Sequence, residues 1–209
     1  MDKEYWDSYY KTRKKPDEPS PFAKYLGKNY LNNQTEGKTI IELGCGGGRD
    51  SVYFGKLGLK VIGVDQSNSA VTNLNNNYSN ENISFIEDDF TCFETIFDDK
   101  FDYVYSRFTL HAVKEENEDK VLKWVYNNLR KGGIFFLEVR STKDELYGKG
   151  IKVGKNTYKY NNHNRRFIDF ETIKEKTKNY SKLIESKLEN GLAIHGDADP
   201  IIIRIIVQK

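Results

Sequence analysis

The chain of 209 residues is short of several things: it has two cysteines, three histidines, a net charge of only +2 and no apolar run of about 18 residues. Each shortage removes a class of protein. Two thiols, Cys45 and Cys92, build no disulfide framework, and in a reducing compartment they stay free. Without a long apolar run there is no membrane span, and Met1-Asp2-Lys3-Glu4 opens no signal peptide, so the expected location is the cytoplasm. His111, His163 and His195 stand outside any H-x-x-x-H or paired-Cys pattern, and no metal site is expected. Near balance of 33 basic and 31 acidic residues gives no general attraction to nucleic acid. The run Lys11-Thr12-Arg13-Lys14-Lys15 reads as a solvated basic linker, with RNA contact as the minor alternative.

What is present fits one folded domain. Hydrophobic residues make up 37% and charged ones 31%, a polar balance, but fourteen Tyr and twelve Phe supply large core side chains. No linker or repeat divides the chain, so residues 1–209 read as a single domain: an aromatic N-terminal segment over 1–35 and a core over 36–209.

The most informative stretch is Thr39-Ile40-Ile41-Glu42-Leu43-Gly44-Cys45-Gly46-Gly47-Gly48-Arg49-Asp50. An apolar run enters a glycine turn and opens onto a helix, and glycines there let the backbone bend so that its amides face a polar ligand. The dinucleotide fingerprint G-x-G-x-x-G needs a third glycine at position 49, which is Arg49, so a nucleotide-dependent oxidoreductase is disfavoured. Lys60-Val61-Ile62-Gly63-Val64-Asp65 reads as a second strand whose terminal carboxylate is placed to accept from both ribose hydroxyls. Ile83-Ser84-Phe85-Ile86-Glu87-Asp88-Asp89-Phe90 reads as a third, ending in acids and an aromatic.

From residue 39 onward, β-rich runs near 39–43, 60–64, 83–86, 101–106 and 133–139 alternate with helical patterns near 50–57, 67–78 and 115–129. That alternation predicts βαβ units and a parallel sheet with helices on both faces. Val121, Leu122, Val125 and Leu129 recur at helical spacing, and Lys131-Gly132-Gly133 is the expected stop. Two last β-rich stretches, 182–188 and 201–207, predict a closing antiparallel hairpin.

The pattern E/D-L-G-x-G-x-G followed by acids at the next two strand ends resembles the class I S-adenosylmethionine-dependent methyltransferases over about residues 36–209. The resemblance implies a Rossmann-like, seven-stranded, mostly parallel sheet with S-adenosyl-L-methionine as methyl donor. It implies a donor-binding set of Trp6, Glu42, Gly44, Cys45, Gly46, Arg49, Asp65, Gln66, Asp88, Asp89, Phe90 and Ser106. Within that set Asp89 takes the adenine amino group, Asp88 is its competitor, and Phe90 walls the adenine slot. Aromatics of the N-terminal segment, Tyr5, Trp6, Tyr10 and Phe22, either fold over the donor and acceptor or dock as core.

For the acceptor, the resemblance points to the loop Tyr105-Ser106-Arg107-Phe108-Thr109-Leu110-His111-Ala112-Val113 and to an insertion near 140–167. An alcohol loses its proton as it attacks, so a base helps, and His111 is the preferred one, with a structural hydrogen-bonder or a residue packed beside the donor as the alternative readings. Arg140, His163, Arg165 and Arg166 either converge on an anionic or hydroxylated acceptor or pair with neighbouring acids. Arg107 is clamp or ion-pair partner, and Tyr147, Tyr10 and Phe22 complete the acceptor side, with Arg140 and His163 also read as catalytic. The Glu-x-Arg-Ser and His-x-Arg-Arg-Phe segments resemble surface-polysaccharide-associated methyltransferases, which favours O-methylation of a small sugar or sugar phosphate. Tellurite-resistance-type relatives share the glycine turn. An N, S or metalloid acceptor and a non-catalytic binding module therefore stay open, and no oligomeric interface is readable.

Overall fold

In the computed structural model, residues 3–11, 18–31, 35–161, 163–194 and 196–209 are described. Most of the basic run 11–15 and His195 lie outside them. The elements are α1 (Lys3–Tyr10), α2 (Pro21–Asn29), β1 (Thr39–Leu43), α3 (Arg49–Lys56), β2 (Lys60–Asp65), α4 (Asn68–Tyr78), β3 (Ile83–Glu87) and β4 (Phe101–Arg107). A 3₁₀ turn (Leu110–Ala112) leads to α5 (Glu115–Asn128), β5 (Leu129–Arg140), β6 (Ile151–Gly154), β7 (Thr157–Tyr160) and β8 (His163–Arg166). The chain ends with α6 (Phe170–Lys178), β9 (Lys182–Glu189) and β10 (Ile202–Gln208). Seven strands form a sheet in the order β3-β2-β1-β4-β5-β10-β9, and β6-β7-β8 form a second one. The chain divides into two compact units, Asp2–Tyr105 and Ser106–Lys209.

In the first unit, β1 runs parallel to β2 and β2 parallel to β3, with Leu43 opposite Val64 and Asp65 opposite Glu87. The strand ends that carry Gly44, Asp65 and Asp88 therefore share one edge. Ile40, Ile41, Leu43 and Val64 are buried on a strand pattern without polar alternation, as expected where helices cover both faces. Ser20 caps α2 by accepting from the Ala23 amide, with Pro21 at the first helical position. Asp50, buried on α3, accepts from the Ser20 amide at 2.7 Å, the Ser20 hydroxyl at 2.7 Å and the Tyr105 hydroxyl at 2.7 Å. This network seats α2 on α3 and β4. Phe22 is correspondingly sealed in the core against Tyr105, which corrects its assignment to the acceptor side: a side chain with no exposed surface touches no ligand.

In the second unit, β10 lies antiparallel between β5 and β9, the hairpin the sequence predicts. Ile202, Ile203, Ile205 and Ile206 are completely buried. Helix α5 ends at Asn128, before the expected glycine stop, because β5 starts at Leu129 and absorbs Gly132 at φ 81 as it meets Lys209. The insertion is ordered as the sheet β6-β7-β8, packed by Tyr147, Tyr158 and Phe167. Helix α6, capped by Asp169, was not anticipated, since Ile173 is its single buried large apolar residue and gives no clear stripe.

The Asp50 network sets a stability prediction. Asp50→Ala removes a buried charge that serves three donors and is expected to cost about 3–5 kcal/mol. Tyr105→Phe, which removes one donor, is expected to cost about 1.5–3 kcal/mol. Urea denaturation followed by far-ultraviolet dichroism measures both, and equal costs would show that the three bonds are not one network.

Candidate functional site

The glycine turn follows from how β1 ends. The amides of Gly44 and Cys45 both donate to the Val64 carbonyl, at 2.8 and 2.9 Å, so the chain leaves β1 still tied to β2. It then reverses through Gly44, Gly46 and Gly48 at φ 74, 52 and 73, a left-handed region that excludes most side chains. Gly48 starts α3 with no side-chain cap, leaving the orphan amides of that helix end to another partner.

Asp65 holds the turn in place. Its carboxylate is 8% exposed and accepts from the Gly46 amide at 2.8 Å and from the Ser67 amide at 2.9 Å. Burial pushes its pKa up, and the amides of Ser67, Gly46 and Gln66 pull the other way without cancelling that effect. A carboxylate has about four acceptor positions, so two amide bonds leave room for hydroxyl donors. Beneath the turn, the buried Glu42 accepts from Ser51 at 2.5 Å. The Cys45 thiol is pushed well up by burial and by the nearby charges of Asp65 and Glu42, which makes it a packing group and not a nucleophile. Arg49 is half-buried and only 3.9 Å from Asp50, and Gln66 is buried beside Asp65.

The acids after β3 separate in role. Asp88 takes the amides of Asp89 and Glu94 on one oxygen and that of Thr95 on the other. Although burial pushes its pKa up, these donors hold it below the usual value. Asp88 is thus occupied with its own loop, whereas Asp89 accepts through Oδ1 from the Thr91 amide and hydroxyl. Phe90 is 2% exposed, and Ser106 is fully buried and pairs with Thr109 at 2.5 Å.

Helix α1 covers this edge of the first unit. The Tyr10 hydroxyl occupies the space a Cβ at Gly46 would need, and Trp6 stacks on Tyr10 with ring centroids 6.0 Å apart. Tyr10 is therefore moved from the acceptor list to the glycine turn. Asp7 accepts from the Ser69 amide at 2.9 Å and from the Ser67 hydroxyl at 3.1 Å, at the N-terminal end of α4. Lys3 reaches Glu87 at 2.8 Å. Sequence reading missed Asp7 and Lys3, because only their partners on α4 and β3 give them meaning.

In the second unit the acceptor-side residues form their own cluster. His111 sits in the 3₁₀ turn against β8, 6% exposed, and its Nδ1 makes no hydrogen bond among the described residues. Burial first, and then the positive charges of Arg140, His163, Arg165 and Arg166, drive its pKa well below 6.5. Their roles divide. Arg166, buried, donates to the carbonyls of Val113 and Leu110 and pairs with Glu118 at 2.6 Å, so it is a structural ion pair and not an acceptor clamp. Arg107 likewise pairs with Glu138 at 2.9 Å, on the opposite side of which Arg204 pairs at 2.6 Å. Arg140 is half-buried, paired with Asp144 at 2.8 Å and 5.5 Å from the Phe108 ring. His163 is buried, and Arg165 is half-buried and donates to the Tyr160 carbonyl at 3.5 Å. Tyr147 turns to the small sheet, donating to Asn156 at 3.0 Å. Glu138 was not singled out from the sequence. It is a fully buried carboxylate between two guanidiniums, and its carbonyl accepts from Phe108, the residue held at φ 55 beside His111.

Comparison with known proteins converges on one class. Residues 40–133 match the family described as a methyltransferase domain. The cypemycin N-terminal methyltransferase of a Streptomyces species is 30% identical over 121 residues, 57% of this chain and 49% of that protein. The chain thus spans about half the length of the relatives it matches in sequence. The S-adenosylmethionine-dependent methyltransferase of Mesorhizobium loti has the same fold, with TM-score 0.70 at 16% identity over 90% of this chain and 98% of that one. The Burkholderia thailandensis 1,6-didemethyltoxoflavin-N1-methyltransferase, solved with 1,6-didemethyltoxoflavin and S-adenosylhomocysteine, has TM-score 0.68 at 17% identity, over 90% and 76%.

The Asp7 latch predicts an acid response. Its donors, with the Ser69 amide the largest, lower its pKa from 3.8 to about 2. A carboxylate with a depressed pKa stabilises the docked helix fully above 3.8 and loses that contribution as pH falls toward 2. Trp6 fluorescence in a Trp124→Phe background is expected to report α1 release in that window. Asp7→Asn should abolish the window, and an identical acid profile in both proteins would contradict the latch.

Proposed function

From the fold and the methyltransferase-domain match over 40–133, we propose that the chain is a class I S-adenosylmethionine-dependent methyltransferase that moves a methyl group from S-adenosyl-L-methionine to an oxygen of a small polar or anionic acceptor, such as a sugar or sugar phosphate. The observation that carries the donor half is the three-glycine turn closed by Asp65 on the Gly46 amide. Turn amides and an uncapped helix end suit a carboxylate, and the remaining acceptor positions of Asp65 suit the ribose hydroxyls. Asp89, which meets Thr91 through Oδ1 alone among the described residues, suits the adenine amino group, and Glu42, Gly44, Cys45, Arg49 and Gln66 complete the donor set. Tyr10 and Trp6 close over the turn and exclude water.

The donor supplies an activated sulfonium methyl group. The protein's part is position, dryness and proton removal. His111 is neutral at physiological pH and is the assigned base, Arg140 and Arg165 face the acceptor's charge, and His163 supports the cluster. The whole chain acts as one catalytic domain, in the cytoplasm, where Cys45 and Cys92 remain free thiols. A nitrogen acceptor is the second reading, favoured by relatives named for a peptide N-terminus and for N1 of a toxoflavin precursor. Transfer of labelled methyl to a panel of hydroxy acids, sugar phosphates, amines and peptides separates the two. Product from none of them would favour a binding module.

Two variants test the donor site. Asp65→Asn is expected to weaken S-adenosylmethionine binding by about 1.5–3 kcal/mol, since it replaces a charged acceptor by a neutral one. Gly46→Val is expected to abolish binding, because a branched residue resists φ 52 and its side chain displaces Tyr10. Calorimetry on the folded proteins measures both. Unchanged affinity in Gly46→Val would move the donor elsewhere.

A further inference from the structure

We propose that the outer strand of the small sheet, β6, is a docking edge for an extended peptide segment of another protein in which acidic and apolar residues alternate. This surface lies wholly in the second unit and is independent of the donor site. Among the described residues β6 pairs with β7 on one side only, so its other side is a sheet edge. All of its residues are exposed, Ile151 at 71% and Val153 at 52%. Between Tyr147 and Tyr160 the chain carries Lys149, Lys152, Lys155 and Lys159 and no acidic residue, in a protein whose net charge is only +2. The edge is firmly seated. Gly150, at φ 89, brings the backbone against the Lys159 carbonyl, where a Cβ would clash. Tyr147 and Tyr158 both pack on Phe167, with ring centroids 5.6 and 6.2 Å away, and Lys155 ties the hairpin to Glu115 of α5 at 2.7 Å. A surface held in this way is ordered before a partner arrives, which lowers the entropy lost on binding.

Charge and chemistry choose the occupant. Lysine on an edge strand guards against pairing with a second copy, since two β6 edges brought together set lysine against lysine. That guard does not account for Ile151 and Val153, because β-branched apolar side chains left in water on the same strand favour burial against a partner. A bilayer is disfavoured, because lipid cannot satisfy the N–H and C=O groups of an open sheet edge. Nucleic acid gains by stacking on aromatic faces, but Tyr147 and Tyr158 are turned to Phe167 and the edge itself is aliphatic. A peptide strand answers every feature at once. Its backbone pairs with the edge, its apolar residues cover Ile151 and Val153, and its carboxylates meet Lys149, Lys152 and Lys159. The register shift at Val153 restricts the added ladder to a few rungs, so charge carries a large share of the selectivity.

The probe is a short fluorescent peptide alternating glutamate and valine, added to the full chain and followed by anisotropy and by amide hydrogen exchange. Its controls are the same peptide with lysine for glutamate, the same peptide with proline for valine, which keeps the charge but cannot pair as a strand, phosphatidylserine vesicles and single-stranded DNA. The expected result is binding of the glutamate–valine peptide that weakens with added salt and slows exchange over Ile151–Gly154, with both altered peptides weaker by about tenfold or more. Lys152→Glu/Lys159→Glu and Ile151→Ser/Val153→Ser should each lose about tenfold as well. These side chains are exposed, so the variants keep the fold, which far-ultraviolet dichroism checks, and the peptide series on the unaltered chain decides the matter without them. Absence of binding, equal binding of the proline peptide, or no protection over Ile151–Gly154 would overturn the proposal. So would tighter binding of vesicles or DNA than of the peptide, or protection of β6 by self-association alone.

Discussion

The first unit depends on one buried carboxylate. Asp65 ends β2 and accepts the amides of Gly46 and Ser67, so it ties the glycine turn to the start of α4. A carboxylate with so little solvent is stable only when hydrogen-bonded, and here the donors are backbone groups that cannot rotate away. The turn so held runs through left-handed geometry at Gly44, Gly46 and Gly48, and α3 starts there without a side-chain cap. Replacing either partner therefore alters the whole edge where β1, β2 and β3 end.

Around that fixed point helix α1 is held by polar contacts at the surface. Asp7 at the α4 end, Lys3 on Glu87 and Tyr10 over Gly46 dock α1 through contacts that are individually modest and pH-sensitive. The core beneath, with Phe22 and Tyr105 around Asp50, is bound more firmly. A turn fastened by buried bonds beneath a helix docked through surface contacts suits the proposed donor site, which must admit a donor and then exclude water.

Much of this was legible in the residues. The glycine turn, the strand-end acids and the closing hairpin follow from local patterns of β-rich runs, glycines and carboxylates, and the structure contains each. The roles of long polar side chains were not legible, because a guanidinium reads the same whether it meets a ligand or a distant acid. Arg166 finds Glu118 across 48 positions, and Arg107 finds Glu138 across 31. Burial hid others: Phe22, Phe90 and Ser106 lie in motif-like positions yet point inward. Conversely Glu138 and Asp7 gain their meaning only from partners brought close by folding.

The central claim is that the turn fastened by Asp65 is where the methyl donor binds. Amide hydrogen exchange by mass spectrometry, with and without S-adenosylhomocysteine, tests it segment by segment. The account predicts slower exchange over Gly44–Arg49, Asp65–Ser67 and the loop at Asp89, together with α1 as the lid settles. Binding that leaves these segments unchanged, or protection confined to the second unit, would contradict it.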